Sequence, residues 1–158
     1  MQILCAIGQQ DGPQIIQDLA EMLGVQHELF ILHVLDTGPR LGLEGFLQGA
    51  RPEQRRRALS PVQAQSLDAA EQSAGQATLD ETVRAAQAAG FTASAELQRG
   101  RPEQVIVQTA QTRHVRLIAI RASEGSQGHP QIGPASVGHV ARFVLDHAPC
   151  HVLFLRGT

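Results

Sequence analysis

Short, continuous apolar runs alternate along this chain with stretches of helical periodicity, and this alternation constrains the fold more than any other feature. The runs are residues 2–7, 29–35, 115–120 and 152–155, while residues 91–97 alternate apolar with polar side chains. A strand covered on both faces has a continuous apolar sequence, whereas alternation indicates a strand with one wetter face. The sequence therefore predicts buried strands at 2–7 and 29–35, a strand near a sheet edge at 91–97, and a fourth and a fifth strand at 115–120 and 152–155.

Helical signals fill the intervals between these strands. Pro13 stands at the first turn of one helix, with Asp11 or a neighbour as its cap, and Gly24 ends that helix. A long Ala- and Gln-rich helix is predicted from Pro61 to about Ala89, although Gly75 in its middle leaves two shorter helices as the alternative. Two more helices follow, one that starts at Gly100-Arg101-Pro102-Glu103 and a short one that ends before Pro149.

Strict alternation of strands and helices predicts an α/β fold: one doubly wound domain with a mostly parallel sheet and helices on both faces. With 158 residues the chain is expected to form a single domain over 1–158. Residues 36–59 are rich in Gly and Pro and are predicted to form a loop or lid. The arginine run at 51–57 is either a solvated face or a contact for phosphate or a partner.

Composition excludes several functions. The net charge is −2, so there is no electrostatic case for nucleic acid or a membrane surface as a partner. All 13 basic residues are Arg, which excludes a lysine that binds phosphate or forms a Schiff base. Cys5 and Cys150 belong to apolar surroundings and predict neither a disulfide framework nor a metal pair. The first residues form no basic leader, so a cytoplasmic protein is the default expectation.

A glycine-rich stretch joins the fourth strand to the last helix. Backbone N–H groups of such a loop, together with a helix N-terminus, can bind phosphate; the alternative is a loop whose glycines serve only mobility. Loops after strands one and four meet at the carboxyl edge of a doubly wound sheet, where ligands bind. The glycines of this stretch are Gly125, Gly128, Gly133 and Gly138.

The spacing Gly125-x2-Gly128-x9-Gly138 resembles the G-x2-G-x9-G-[S/T] loop of nucleotide-binding universal stress proteins. The ending GHVARFVLDHAPCHVLFLR, at residues 138–156, is similar to that family's closing helix, APC turn and last strand. The first strand, the long second helix, the GRPEQVIV helix start and the RLIAI strand also follow the family's order. The resemblance therefore covers the whole chain.

This resemblance implies a five-stranded parallel sheet in the order 3-2-1-4-5, a role in stress response and, frequently, a homodimer. In one branch of the family it implies ATP or another adenine nucleotide as ligand. There an Asp at the end of strand one contacts the nucleoside, backbone groups ending strand two hold the adenine, and the motif's Ser/Thr contacts phosphate. The corresponding cofactor-binding positions here are Gly8, Val34, Gly125, Gly128, Gly138 and His139.

Two of these positions depart from the family pattern. Gly8 has no carboxylate and His139 has no hydroxyl. Losing a buried hydrogen-bond partner costs about 1–3 kcal/mol. Arg121, His129, His139 and Arg142 could supply charge to a phosphate in compensation. The sequence therefore predicts a degenerate loop with weakened or absent ATP binding, and its alternative is a nucleotide sensor that binds ATP or ADP.

Catalytic motifs are missing from the sequence. It contains no Ser/His/Asp ordering, no HExxH and no CxxC, and the loop after strand one reads GQQDG rather than the Ser- and Gly-rich loop of synthetase-like relatives. We therefore predict no catalytic residues, no metal site and no enzyme activity. A hydrolase or nucleotidyl transferase is the alternative, and it would release phosphate or pyrophosphate from ATP.

The last strand, which starts at His151, is apolar and lies at a sheet edge in the expected order. An uncovered apolar edge strand favours pairing with a second copy. The sequence thus predicts a homodimer through the C-terminal strand, acting together with an unidentified protein partner.

Overall fold

A five-stranded parallel sheet organises the molecule. The computed structural model describes residues 1–37, 61–122 and 138–156. Within these ranges the strand order is β3-β2-β1-β4-β5, which confirms the predicted fold class and the predicted order 3-2-1-4-5. In chain order the elements are β1 (Gln2–Ile7), α1 (Gly12–Leu23), β2 (Glu28–Asp36), α2 (Pro61–Ala89), β3 (Thr92–Gly100), α3 (Pro102–Thr112), β4 (Leu117–Arg121), α4 (His139–His147) and β5 (His151–Leu155).

The strands bury both of their faces because helices cover the sheet from either side. On one side α1 and α2 pack against the sheet, with Ile16 and Leu79 in the shared core. On the other side α3 and α4 pack through Ile106 and Val144. Central β1 is buried on both faces from Ile3 onward, as its continuous apolar sequence predicts. β3 lies at an edge and is the most exposed strand, in agreement with its alternating sequence.

Strand register fixes where the functional loops begin. Ile7 of β1 pairs with His33 of β2, and Ala6 pairs with Ile120 of β4. The carboxyl ends of these three central strands therefore lie side by side. His33 is a core histidine: it is 2% exposed, and its Nδ1–H donates to the carbonyl oxygen of Ile7 at 2.9 Å.

Helix α2 is one continuous helix of 29 residues, which excludes the alternative of two shorter pieces. A close approach to the sheet explains the glycine at its middle. A Cβ atom on Gly75 would lie 3.0 Å from Leu35 Cδ2, 3.1 Å from His33 Cδ2 and 3.2 Å from Leu97 Cδ1. Glycine at this position destabilises the helix by about 1 kcal/mol relative to alanine. It also allows the helix to pack directly on β2 and β3.

Several predicted features fall on residues that the structure does not describe. The predicted loop or lid at 36–59 starts inside β2, whose last residue is Asp36, and from residue 38 it lies outside the described residues. The arginine run at 51–57 lies outside them as well. None of the described helices combines the length and apolar character needed to cross a bilayer.

Candidate functional site

A cavity of about 390 Å³ opens at the carboxyl ends of β1, β2 and β4, on the side of the sheet covered by α3 and α4. β1 and β4 are neighbours in the sheet, but β1 is followed by α1 on one face and β4 by α4 on the other. The strand order reverses at this point, which is where doubly wound sheets bind their ligands. Strand side chains form an apolar floor. They are Ala6, Leu32, Val34 and Ile120, with Ile106 of α3 beside them.

Two helix N-termini border the cavity. Pro102, the first residue of α3, lines one side, and residues 138–141 at the start of α4 line another. Gly138 caps α4 with φ +80°, a left-handed conformation that favours glycine. It provides no side-chain hydrogen bond to the helix, and the first turn of α4 contains no acidic residue. The first N–H groups of α4 are therefore suited to binding an anion.

The carboxylate of Asp11 lies over Gly8. The backbone N–H of Gly8 donates to Asp11 Oδ2 at 3.2 Å, and a Cβ atom on Gly8 would lie only 2.7 Å from the same oxygen. Asp11 occupies the N-cap position of α1, as predicted, but its side chain makes no cap hydrogen bond to that helix. The glycine at the end of β1 thus makes room for a carboxylate that comes from three residues further along the chain.

Arg121, the last residue of β4, is tied to acidic side chains. Its Nη2 lies 2.6 Å from Asp18 Oδ2, and its Nε lies 4.0 Å from Asp11 Oδ1. The arginine side chain is 15% exposed, and its Nε is buried without a hydrogen-bond partner. The predicted role of Arg121 was to supply charge to a phosphate, but its guanidinium is already shared between two carboxylates.

The other predicted cations of the site are also close to carboxylates. His139 Nε2 lies 3.8 Å from Glu103 Oε1, and that glutamate side chain is 12% exposed. Arg142 Nε lies 3.1 Å from Asp146 Oδ2, one turn further along α4. His129 lies outside the described residues. The described part of the site therefore carries no surplus of positive charge.

Four of the six predicted binding positions lie together. Gly8, Val34, Gly138 and His139 all line the cavity, although they come from three separate parts of the chain. The other two, Gly125 and Gly128, lie outside the described residues. Sequence reasoning gave Asp11 as a helix cap and did not predict its contact with Gly8. The signal for it was the spacing Gly8-x2-Asp11, which lets the carboxylate fold back onto the end of β1.

Cys5 of β1 lies in the core on the α1 and α2 side of the sheet and is fully buried. Burial, reinforced by the charge of Asp11, raises the pKa of its thiol to about 12. A thiol that stays protonated at neutral pH is neither a nucleophile nor a metal ligand. Within the described ranges, no three His, Cys, Asp or Glu side chains are grouped as a metal ion would require.

Comparison with known proteins connects this chain to one family. The family model of the universal stress protein family matches residues 1–156. No curated protein matches the chain in sequence. Among solved structures, the universal stress protein UspA from Lactobacillus plantarum is 25% identical, with a TM-score of 0.66 over 99% of this chain and 97% of that chain.

Two more solved structures were determined with nucleotides. A universal stress protein family protein from Arabidopsis thaliana with AMP bound is 16% identical, with a TM-score of 0.65 over 100% of this chain and 92% of that chain. The universal stress protein from Archaeoglobus fulgidus in complex with dAMP is 19% identical, with a TM-score of 0.54 over 98% of this chain and 96% of that chain. At these identities the two structures establish the likeness of fold.

Proposed function

This chain belongs to the universal stress protein family, and from that membership we propose that it is a noncatalytic stress-response domain that binds an adenine nucleotide in the cavity beside β1. The observation that carries the proposal is the cavity itself, into which Gly8, Val34, Gly138 and His139 converge. Its volume of about 390 Å³ falls within the range of small-molecule sites, about 300–1,000 Å³. The AMP and dAMP found in two relatives support the same class of ligand.

The walls of the cavity suit the parts of such a ligand. A planar base can pack on the apolar floor formed by Leu32, Val34 and Ile106, because apolar surface removed from water stabilises a complex. The backbone at Val34 supplies polar groups for the base edge, which is the role the family resemblance gives it. The N-terminus of α4, at Gly138, is placed for a phosphate.

We expect this binding to occur without chemistry. Members of the family are generally non-enzymatic stress proteins. The thiol of Cys5 in β1 is held protonated by burial, as described above. The proposal also places the protein in the cytoplasm, where free thiols such as Cys5 and Cys150 persist.

The first test identifies the ligand. Purified protein is denatured, any released nucleotide is identified by chromatography, and the refolded or stripped protein is titrated calorimetrically with adenosine, AMP, ADP and ATP. We expect saturable binding of at least one adenine compound at one site per chain, and we expect ATP incubated with the protein to be recovered intact. Absence of binding by all four compounds would leave a dimeric interaction module with no small ligand. Release of phosphate would instead indicate an enzyme.

We further propose that the domain forms a homodimer through β5. Val152, Leu153 and Phe154 are only half-buried, and β5 lies at the edge of the sheet. Light scattering at micromolar concentration should give twice the 17.0 kDa mass of the chain. Because a lysine on an edge strand opposes pairing, Val152→Lys should shift the protein to a monomer. Ala95→Lys on the opposite edge, β3, is the matched control and should remain dimeric; a monomeric wild type would contradict this interface.

A further inference from the structure

Negative charge predominates around the cavity in the described part of the chain. Asp11 lines the cavity, and Asp18 and Glu103 lie behind it as the partners of Arg121 and His139. Arg121 is the only permanent cation among the described lining residues, and its guanidinium contacts two carboxylates. Three carboxylates therefore face one arginine and one histidine, and the sum of their formal charges is negative whether that histidine is neutral or protonated.

The sequence of the glycine loop does not reverse this balance. Residues 123–137 contain Glu124 and His129 but no Arg and no Lys. Sites for polyphosphates ordinarily neutralise each added phosphate with an arginine, a lysine or a metal ion. Among the residues that the structure describes around the cavity, each phosphate beyond the first would therefore meet more carboxylates than cations.

One phosphate, by contrast, has a suitable position. Gly138 provides no capping side chain, and the first residues of α4 line the cavity with their backbone. A helix N-terminus carries a partial charge of roughly +0.5 and several free N–H donors. This is enough for a single phosphate group and falls short of what a triphosphate requires.

Asp11 is placed to recognise another part of the ligand. One of its oxygens accepts the N–H of Gly8, and a third of its side chain is exposed where it lines the cavity. An ionised carboxylate only accepts hydrogen bonds, so it binds hydroxyl groups and repels phosphate. Its position over Gly8 sets it at the end of β1, next to the floor on which the base would pack.

We propose that this cavity takes an adenine nucleoside or its monophosphate in preference to the di- and triphosphates, and that Asp11 accepts the hydroxyl groups of the sugar. The inference rests on the adenine site proposed above and specifies its ligand class. The site should therefore bind ATP more weakly than AMP. The cause is that Arg121 is already paired with Asp18, while the carboxylates of Asp11 and Glu103 repel additional phosphates.

Titration calorimetry in magnesium-free buffer at low ionic strength tests both the preference for AMP over ATP and the contact of Asp11 with the sugar hydroxyls. The ligands are adenosine, 2′,3′-dideoxyadenosine, AMP and ATP. We expect wild-type protein to bind AMP about tenfold or more tightly than ATP, and added salt to narrow that ratio, because salt screens the repulsion. We also expect removal of both sugar hydroxyls to weaken nucleoside binding roughly tenfold, as loss of a hydrogen bond to a charged group should.

Asp11→Asn is the informative variant, since asparagine keeps an oxygen for the N–H of Gly8 while removing the charge. It should bring the ratio of AMP to ATP affinity down by roughly threefold to tenfold. It should also reduce the loss of affinity caused by removing the sugar hydroxyls, because a hydrogen bond to a neutral amide is weaker than one to a carboxylate. Glu21→Gln is the matched control, because Glu21 is exposed on α1 and its replacement changes the net charge equally. That control should leave the AMP to ATP affinity ratio, and the loss of affinity on removing the sugar hydroxyls, at wild-type values.

The outcomes separate this inference from the proposed function. Binding of ATP as tightly as AMP by the wild type overturns the selectivity and leaves adenine binding intact. If removing the sugar hydroxyls weakens nucleoside binding equally in the wild type and in Asp11→Asn, the role of Asp11 is overturned. Failure of every adenine compound to bind overturns the adenine site itself, and this inference with it.

Discussion

Replacing Phe30 with Ala is expected to lower the free energy of unfolding by about 3–5 kcal/mol, the range found when a buried aromatic side chain is truncated. Phe30 is 2% exposed in β2, within the core that α3 and α4 cover. The guanidinium of Arg113 lies over its ring, with Cζ 3.5 Å from the ring centroid, so truncation also removes a cation–π contact. Since small domains are stable by about 5–15 kcal/mol, the loss should be a large part of the total.

Urea denaturation followed by circular dichroism measures this loss. Phe143→Ala is the matched control: its ring is half-buried on α4 and stacks on exposed His147 at a centroid distance of 4.1 Å. That control should cost about 1 kcal/mol or less. Phe30→Leu keeps most of the volume and provides a folded variant if Phe30→Ala does not fold. Equal losses at positions 30 and 143 would contradict the assignment of Phe30 to the core.

Replacing Val34 with Trp should weaken AMP binding by about a hundredfold, equivalent to about 2.7 kcal/mol. Val34 lies near the end of β2, is half-buried and lines the cavity. An indole at this position occupies the space in which the base would pack, so the ligand would lose the apolar burial that stabilises it. Residue 34 pairs with Gln98 of β3 through its backbone, so we expect the variant to keep its sheet intact.

Calorimetric titration of the variant with AMP measures this effect, and a thermal melt verifies that the protein remains folded. Leu145→Trp is the control, because Leu145 is 48% exposed on α4 and does not line the cavity. It adds the same indole and should bind AMP as the wild type does. An unchanged affinity in a folded Val34→Trp protein would place the ligand elsewhere.

The fold could be predicted from sequence because burial on both faces leaves a direct signature. Continuous apolar runs such as 29–35 predict central strands, and the alternating stretch at 91–97 predicts the exposed edge that β3 forms. Strand order came from the family resemblance, since alternation alone does not fix which strands are neighbours. Gly75 could not be explained from sequence, because its cause is contact with three side chains of β2 and β3 that lie far away in the chain.

Helix faces were predicted less well where the helix is short. The spacing of apolar residues in the last helix favours Val140, Phe143, Val144 and His147 as its inward face. In the structure Val144 is buried and Val140 half-buried, but His147 is exposed, with Phe143 half-buried and stacked on its ring. The buried residues of this nine-residue helix are Val144 and the small residue Ala141, which the spacing of large apolar residues does not identify.

For the site, the sequence identified positions but not their partners. Family spacing pointed to Gly8, Val34, Gly138 and His139, and all four line one cavity. The carboxylate that compensates for Gly8 was not predicted, because Asp11 belongs by its sequence position to the start of α1. The partners of Arg121 were not predicted either, since Asp18 is 103 residues away and meets it only in the folded chain.

Photolabelling with 8-azido-AMP, followed by tryptic digestion and mass spectrometry, tests most directly whether this cavity binds an adenine nucleotide. We predict that the label attaches to the peptide of residues 1–40, which contains β1 and β2, or to that of residues 100–113, which contains α3. Excess AMP should abolish the labelling. Label in the peptide of residues 58–84, which contains most of α2 on the opposite side of the sheet, would contradict the account. Label that AMP does not reduce would contradict it as well.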